Sequence, residues 1–233
     1  MSRPSGAVIL AMLLLVSRVL ICGTSFIFAQ SSAQNQALSL DRLGLHNVTA
    51  EAGTYKGIPS VMIKEASQPE QNGNSFALVR GLSLEDGTIE VMLSGDTAPD
   101  TPPQLRGFVG IEFRVSSDSN RFECFYLRPK NGRSEDQLQR NHSAQYVSMP
   151  GFPWEKLRTE SPGKYESYVD MIPGEWVRVK VEVKGSSARL YVNGAEQPTL
   201  IVNDLKQAPA AGGVALWIGP GTIAHFANLK ISH

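Results

Sequence analysis

Cysteine is nearly missing from this 233-residue sequence, with only Cys22 and Cys124 present. Cys22 falls in an apolar N-terminal stretch, so a chain that loses that stretch keeps Cys124 alone. An internal disulfide is then excluded, and stability outside the cytoplasm has to come from the core. Cys124 itself sits inside a strand pattern, where a lone thiol is a small buried hydrophobe. An excess of either charge is missing too: 22 Lys and Arg balance 22 Asp and Glu. No overall field favours nucleic acid or an anionic membrane. Histidine is sparse, and His46, His142, His225 and His233 show no paired spacing. A zinc site needs several such ligands, so neither a metal nor any other cofactor is expected. Calcium held by loop oxygens near Ser117, Asp118 and Asn120 stays open, though without a defining pattern. Phosphate loops, dinucleotide fingerprints and serine-nucleophile motifs do not occur, which removes the chemistries that depend on them.

What is present begins with a targeting pattern. Residues Met1 to Ala29 carry Arg3, the apolar run AVILAMLLLV, and Ile27 and Ala29 at positions that suit cleavage before Gln30. The expected product is secreted or periplasmic. Ser17 and Arg18 divide the apolar stretch, so either the signal is long or translation starts at Met12. An uncleaved anchor is the other reading, because Gly6 to Ala29 reaches the roughly 20 residues that cross a bilayer. Polar, aperiodic QSSAQNQ follows, and residues 30–46 are expected to be a flexible linker. Asn47-Val48-Thr49 and Asn141-His142-Ser143 match glycosylation acceptors, which matter only in a eukaryotic secretory pathway.

From residue 47 onward the pattern is strand after strand. Asn47 to Glu51 and Ser60 to Glu65 are expected as short strands, separated by Gly53 and a turn around Pro59. SFALVRGL and GTIEVMLSG are split by Glu85, Asp86 and Gly87, and the Pro-rich and Asp-rich DTAPDTPPQLR makes a rim loop. GEWVRVKVEVKG alternates most cleanly, with Val177, Val179, Val181 and Val183 on one face and Arg178, Lys180 and Glu182 on the other. SARLYVNG, PTLIVNDL, GGVALWIGPG and TIAHFANLKI complete the series, and only the stretch around WEKLRTE suggests helix. Many strands at short spacing with Gly and Pro turns specify an all-β sandwich.

The stretch from Gly107 to Asp170 stands apart. RFECFYLR is apolar at both alternating sets, as in a strand covered on both faces, so the long segment at about 128–170 is expected to fold back over the sheet. That segment is dense in groups that hold sugars: Arg128, Arg140, Asn141 and His142 for hydroxyls, Tyr146 and Trp154 for apolar ring faces. The same charges also suit a solvated surface, and His142 suits either a general base or a loop-ordering role. On neighbouring strands, Glu112 and Glu123 could flank a glycosidic bond, which asks for carboxyls about 5 to 9.5 Å apart. Arg114 could bind sugar hydroxyls or a ketone oxygen on which charge develops, and a cross-strand ion pair between it and the glutamates is the alternative.

The C-terminal half carries a resemblance. Trp176 opening a Val-rich strand, LYVNG at a hairpin, a Gly-led strand and a last strand of the form F-x-N-L-x-I resemble the end of concanavalin A-like lectin and glucanase sandwiches. With GTIEV and GIEFR, the sequence is most similar to the 3-keto-disaccharide hydrolase-like branch. The resemblance spans Val48 to Ser232 and implies a two-sheet jelly roll whose concave sheet binds carbohydrate. It also implies that Glu112, Arg114 and Glu123 point to that concave face, with Tyr126 on FECFY beside them. The sequence departs from the classical glucanases of this fold, since no Glu is followed by Asp two positions later. The expectation is an exported carbohydrate-active protein, a glycoside hydrolase-like domain acting on a small or 3-keto glycoside with Glu112 and Glu123 as catalytic pair. A glycan-binding module and a protein-interaction domain are the alternatives.

Overall fold

The computed structural model describes residues 34–35, 38–68 and 74–233, and the expected signal segment lies outside them. The strands are β1 (Gln34–Asn35), β2 (Leu43–His46), β3 (Val48–Tyr55), β4 (Ile58–Glu65) and β5 (Phe76–Val79). They continue with β6 (Gly87–Thr97), β7 (Val109–Val115), β8 (Phe122–Leu127), β9 (Ala144–Met149) and β10 (Glu166–Ser167). The series ends with β11 (Val177–Lys184), β12 (Ser187–Val192), β13 (Leu200–Val202), β14 (Gly213–Ile218) and β15 (Thr222–Ser232). Two short helices, α1 (Gln137–Asn141) and α2 (Trp154–Glu160), lie within the long segment.

All pairings are antiparallel and form two sheets. One runs β13-β12-β11-β6-β15-β4-β3, with β1 added beside β15; the other runs β10-β9-β8-β7-β14-β5-β2. Neighbours that are distant in sequence, such as β7 beside β14, give the crossed connections of a jelly-roll sandwich. The core lies between the sheets: Val177, Val179, Val181 and Val183 are buried against Ile111, Phe113, Phe125 and Leu216 in one cluster. Their charged neighbours Arg178 and Lys184 stay exposed, so alternation sets this face as expected.

Three local expectations need correction. The fold begins before residue 47, since Leu43–His46 pairs with β5 and buries Leu43; four residues with two apolar side chains were too short to register as a strand. The first turn is at Lys56 and Gly57, both at positive φ, while Pro59 lies inside β4 opposite Thr54. Beyond Val61 the β15 partner is gone, so the missing Pro59 N–H breaks no ladder bond on that side. The long segment does more than fold back over the sheet. It adds β9 and β10 to one edge and sets α2 against β9. Helix α1 starts where the Asp136 side chain accepts from the Leu138 and Gln139 N–H groups.

Candidate functional site

The outer face of the seven-stranded sheet carries one row of residues that crosses every strand. Register places His46, Phe76, Trp217, Gly110, Tyr126, Gln145 and Glu166 side by side, from β2 through β5, β14, β7, β8 and β9 to β10. Four of the first five are rings. His46 stacks on Phe76 at 4.3 Å, and Tyr126 lies 4.9 Å from Trp217. Gly110 makes the second contact possible: a Cβ there would sit 2.3 Å from the Phe125 carbonyl oxygen and 2.6 Å from the Tyr126 Cβ. Above this row opens a cleft of about 820 Å³, with Phe108, Phe122 and Trp154 adding further aromatic wall. Asn47, Asn74, Asp118, Ser119 and Asn120 contribute its polar edge.

The adjoining row on the same face is apolar except for one residue. Leu78, Ala215, Glu112, Cys124 and Val147 are successive partners, so Glu112 lies between two small side chains and is fully buried. Its Oε1 accepts from Asn74 Nδ2 at 2.5 Å, while Oε2 has no hydrogen-bond partner among the described residues. Burial lifts its pKa to about 8, against the smaller opposing effect of Asn74. Glu112 is therefore a neutral acid at pH 7. Asn74 in turn accepts from the Trp217 indole Nε1 at 2.7 Å, and its backbone carbonyl accepts from Asn47 Nδ2 at 3.0 Å.

The expected catalytic pair is separated. Glu123 is opposite Phe113, whereas Glu112 is opposite Cys124, so the two carboxyls project from opposite faces of the sheet. Glu123 points between the sheets, where it accepts from Tyr146 Oη at 2.6 Å and the Gln207 N–H at 2.9 Å. Tyr146 is fully buried on that inner side and cannot line the cleft. Arg114 is also redirected. Between Gly213 opposite Val115 and Ala215 opposite Glu112 the register shifts, and Arg114 takes φ 53°. This bulge aims its guanidinium at the Glu85 and Gly185 carbonyls and at Asp86, at the end of the sandwich.

Of the other expected ligand residues, Tyr126 and Trp154 line the cleft. Arg128 and His142 sit behind that wall, around Glu166. Arg128 donates to Tyr126 Oη, Gln145 and the His142 carbonyl, and its guanidinium lies 5.9 Å from the Trp154 ring centre. Arg158 grips Glu166 through two nitrogens, and His142 Nε2 is 3.5 Å from the same carboxylate. Partial burial lowers the His142 pKa, with Glu166 opposing the effect. Arg140 reaches Tyr168, and Asn141 accepts from Gln137 on α1; neither lines the cleft. Asp118 accepts from Ser116 and Asn120, which together hold its pKa low, so this loop closes an Asx-type turn. His46, Asn74, Phe76, Phe108, Phe122 and Trp217 were missed. Parity pointed to Trp217, which falls on the same side as Ala215 in GVALWIG.

The sequence matches no protein-family model and no curated protein. The fold is similar to that of a carbohydrate-binding module from Bacillus subtilis, at 15% identity over 82% of this chain and 98% of that one, with TM-score 0.50. It is similar to a protein of unknown function with a galectin-like fold from Bacillus subtilis, at 10% identity over 86% and 97%, with TM-score 0.52. A candidate glycosyl hydrolase from Parabacteroides distasonis shares 11% identity over 83% and 89%, with TM-score 0.50. At these identities the likeness establishes the sandwich fold.

Proposed function

We propose that the protein is an exported glycan-binding module that holds carbohydrate in the aromatic cleft without cleaving it. The observation that carries this reading is the cleft in which exposed His46, half-buried Trp217 and exposed Trp154 present ring surface, backed by buried Phe76 and Tyr126 and edged by Asn47, Asn74 and Asn120. Flat aromatic faces suit the apolar sides of sugar rings, and carboxamides both donate to and accept from hydroxyls. The carbohydrate-binding module among the fold neighbours supports the same reading. Export rests on the pattern in Met1 to Ala29.

Hydrolysis of a small or 3-keto glycoside, which the family resemblance implied, is the weaker reading. It asks for two carboxyls across one bond. Glu123 is on the other face of the sheet and already accepts two hydrogen bonds there. The test is a glycan array probed with the chain beginning at Gln30, followed by calorimetry with the soluble oligosaccharide of the strongest spot. Released sugar from plain and 3-keto glycosides is assayed in parallel. Binding without release is expected, and Trp217→Ala or Trp154→Ala should each weaken it at least tenfold, about 1.4 kcal/mol. Release by the wild type would restore the hydrolase, and an empty array would favour a protein-interaction domain.

A further inference from the structure

The cleft floor contains a carboxyl that no ligand can reach directly, wired to the ring a ligand would stack on. Glu112 is fully buried, its Oε1 accepts from Asn74 Nδ2 at 2.5 Å, and Asn74 Oδ1 accepts from Trp217 Nε1 at 2.7 Å. Asn74 and Trp217 both line the cleft. We propose that Glu112 is a positioning residue which sets the cleft from beneath, fixing the Asn74 carboxamide and, through it, the Trp217 indole as the stacking surface for a sugar ring. The inference rests on the glycan-binding reading of the same cleft.

Three features support it. A carboxamide has two orientations that differ in which atom points where, and this network permits one: the oxygen must meet the indole N–H and the nitrogen must meet Glu112. The indole N–H is thereby used up, which leaves the ring face as what Trp217 offers to a ligand. Finally, a buried carboxyl with an unpartnered oxygen costs stability, and Leu78, Ala215, Cys124 and Val147 show that this row is otherwise apolar. A residue that costs stability in an apolar row is explained by what it holds in place.

Ionising Glu112 would place an unpaired charge in that row and draw water beneath the floor. The titratable groups that pack directly against it are kept neutral by burial. From β8 it is faced by Cys124 and Tyr126, both pushed up by burial; β14 presents Ala215 and Trp217; Arg114 on its own strand turns to the Glu85 and Gly185 carbonyls. His46 stacks on Phe76 at the far side of Trp217.

The first readout needs no ligand. In a Trp154→Phe, Trp176→Phe background Trp217 is the one remaining tryptophan, and its emission should shift as pH rises through about 8, the pKa of Glu112. Glu112→Gln should abolish that shift. Asn74→Ala should uncouple it while leaving Glu112 in place. The second readout is affinity for the array's strongest oligosaccharide. It should fall as pH rises through the same value, and Glu112→Leu, which fills the volume without an acceptor, should lower it at least tenfold at pH 7. Glu112→Gln, which keeps an acceptor for Asn74, should recover most of that loss. Trp217 emission that ignores pH, or Glu112→Leu binding as tightly as wild type, would overturn the proposal. If no glycan binds, the glycan reading fails on its own, and the emission titration still decides whether Glu112 positions Trp217.

Discussion

The two glutamates that look equivalent in the sequence have opposite environments, and the cause is strand parity. Glu112 is alone among apolar partners and stays protonated, while Glu123 accepts from a tyrosine hydroxyl and a backbone N–H. This has a stability consequence. The folded-state pKa of Glu112 is raised from 4.5 to about 8, so as far as this group is concerned the fold's stability is greatest below pH 4.5, where the carboxyl is neutral in both states. That stability falls progressively as pH rises from 4.5 through about 8. At roughly 1.4 kcal/mol per pH unit the loss over that window is on the order of 5 kcal/mol as an upper bound. Glu112→Gln removes this dependence, so urea unfolding at pH 5 and pH 8 should show wild type losing several kcal/mol more than the variant between the two. Equal losses would mean that Glu112 is hydrated and ionised in the folded protein.

At the scale of elements, what the sequence made legible was alternation. Val177 to Val183 and the helix at WEKLRTE were readable because each carries its period within one stretch. The cleft was not readable in that way, because its row is assembled from six other strands around Gly110 and no single segment shows it. Arg114 was misplaced for a related reason: a bulge depends on a partner strand that is a hundred residues away in sequence. In the long segment, Arg128, His142 and, from α2, Arg158 gather on Glu166 of β10, and Arg128 also holds Gln145 of β9, so much of its charge density joins these elements. Gly110 is where packing and site meet. Because an added Cβ would meet the Phe125 carbonyl, β7 and β8 must move apart, and overpacking of this kind costs about 1 to 3 kcal/mol. Gly110→Ala should lower the unfolding free energy by that amount, read as a lower denaturant midpoint at unchanged m, and also separate Tyr126 from Trp217, visible as a change in near-ultraviolet circular dichroism. A variant with unaltered midpoint and spectrum would contradict this account of the floor.

At the scale of the whole molecule, the sandwich divides its labour between sheets. The sheet containing β6, β11 and β15 supplies the long regular ladders, and the other holds the cleft at the price of one buried acid. The N-terminal boundary tests this division. A chain beginning at Gln30, as the signal pattern proposes, keeps β1 on β15 and β2 on β5. A chain beginning at Asn47, the end of the expected linker, lacks β2, which buries Leu43 and brings His46 onto Phe76. Losing the Leu43 side chain from the core alone costs about 1.5 to 3 kcal/mol, before the four lost register pairs with β5 are counted. The exposed β5 edge would also become open to pairing with other chains. The shorter chain is therefore expected to melt well below the longer one, to self-associate in sedimentation velocity, and to bind the array oligosaccharide weakly because one wall of the ring row is gone. If it matches the longer chain in melting temperature and affinity, β2 is dispensable and the cleft starts at Phe76. Mass analysis of protein from its native source supplies the complementary measurement: a chain starting near Gln30 retains every strand that the cleft requires, whereas an intact Met1 in the membrane fraction would make the same module a tethered one.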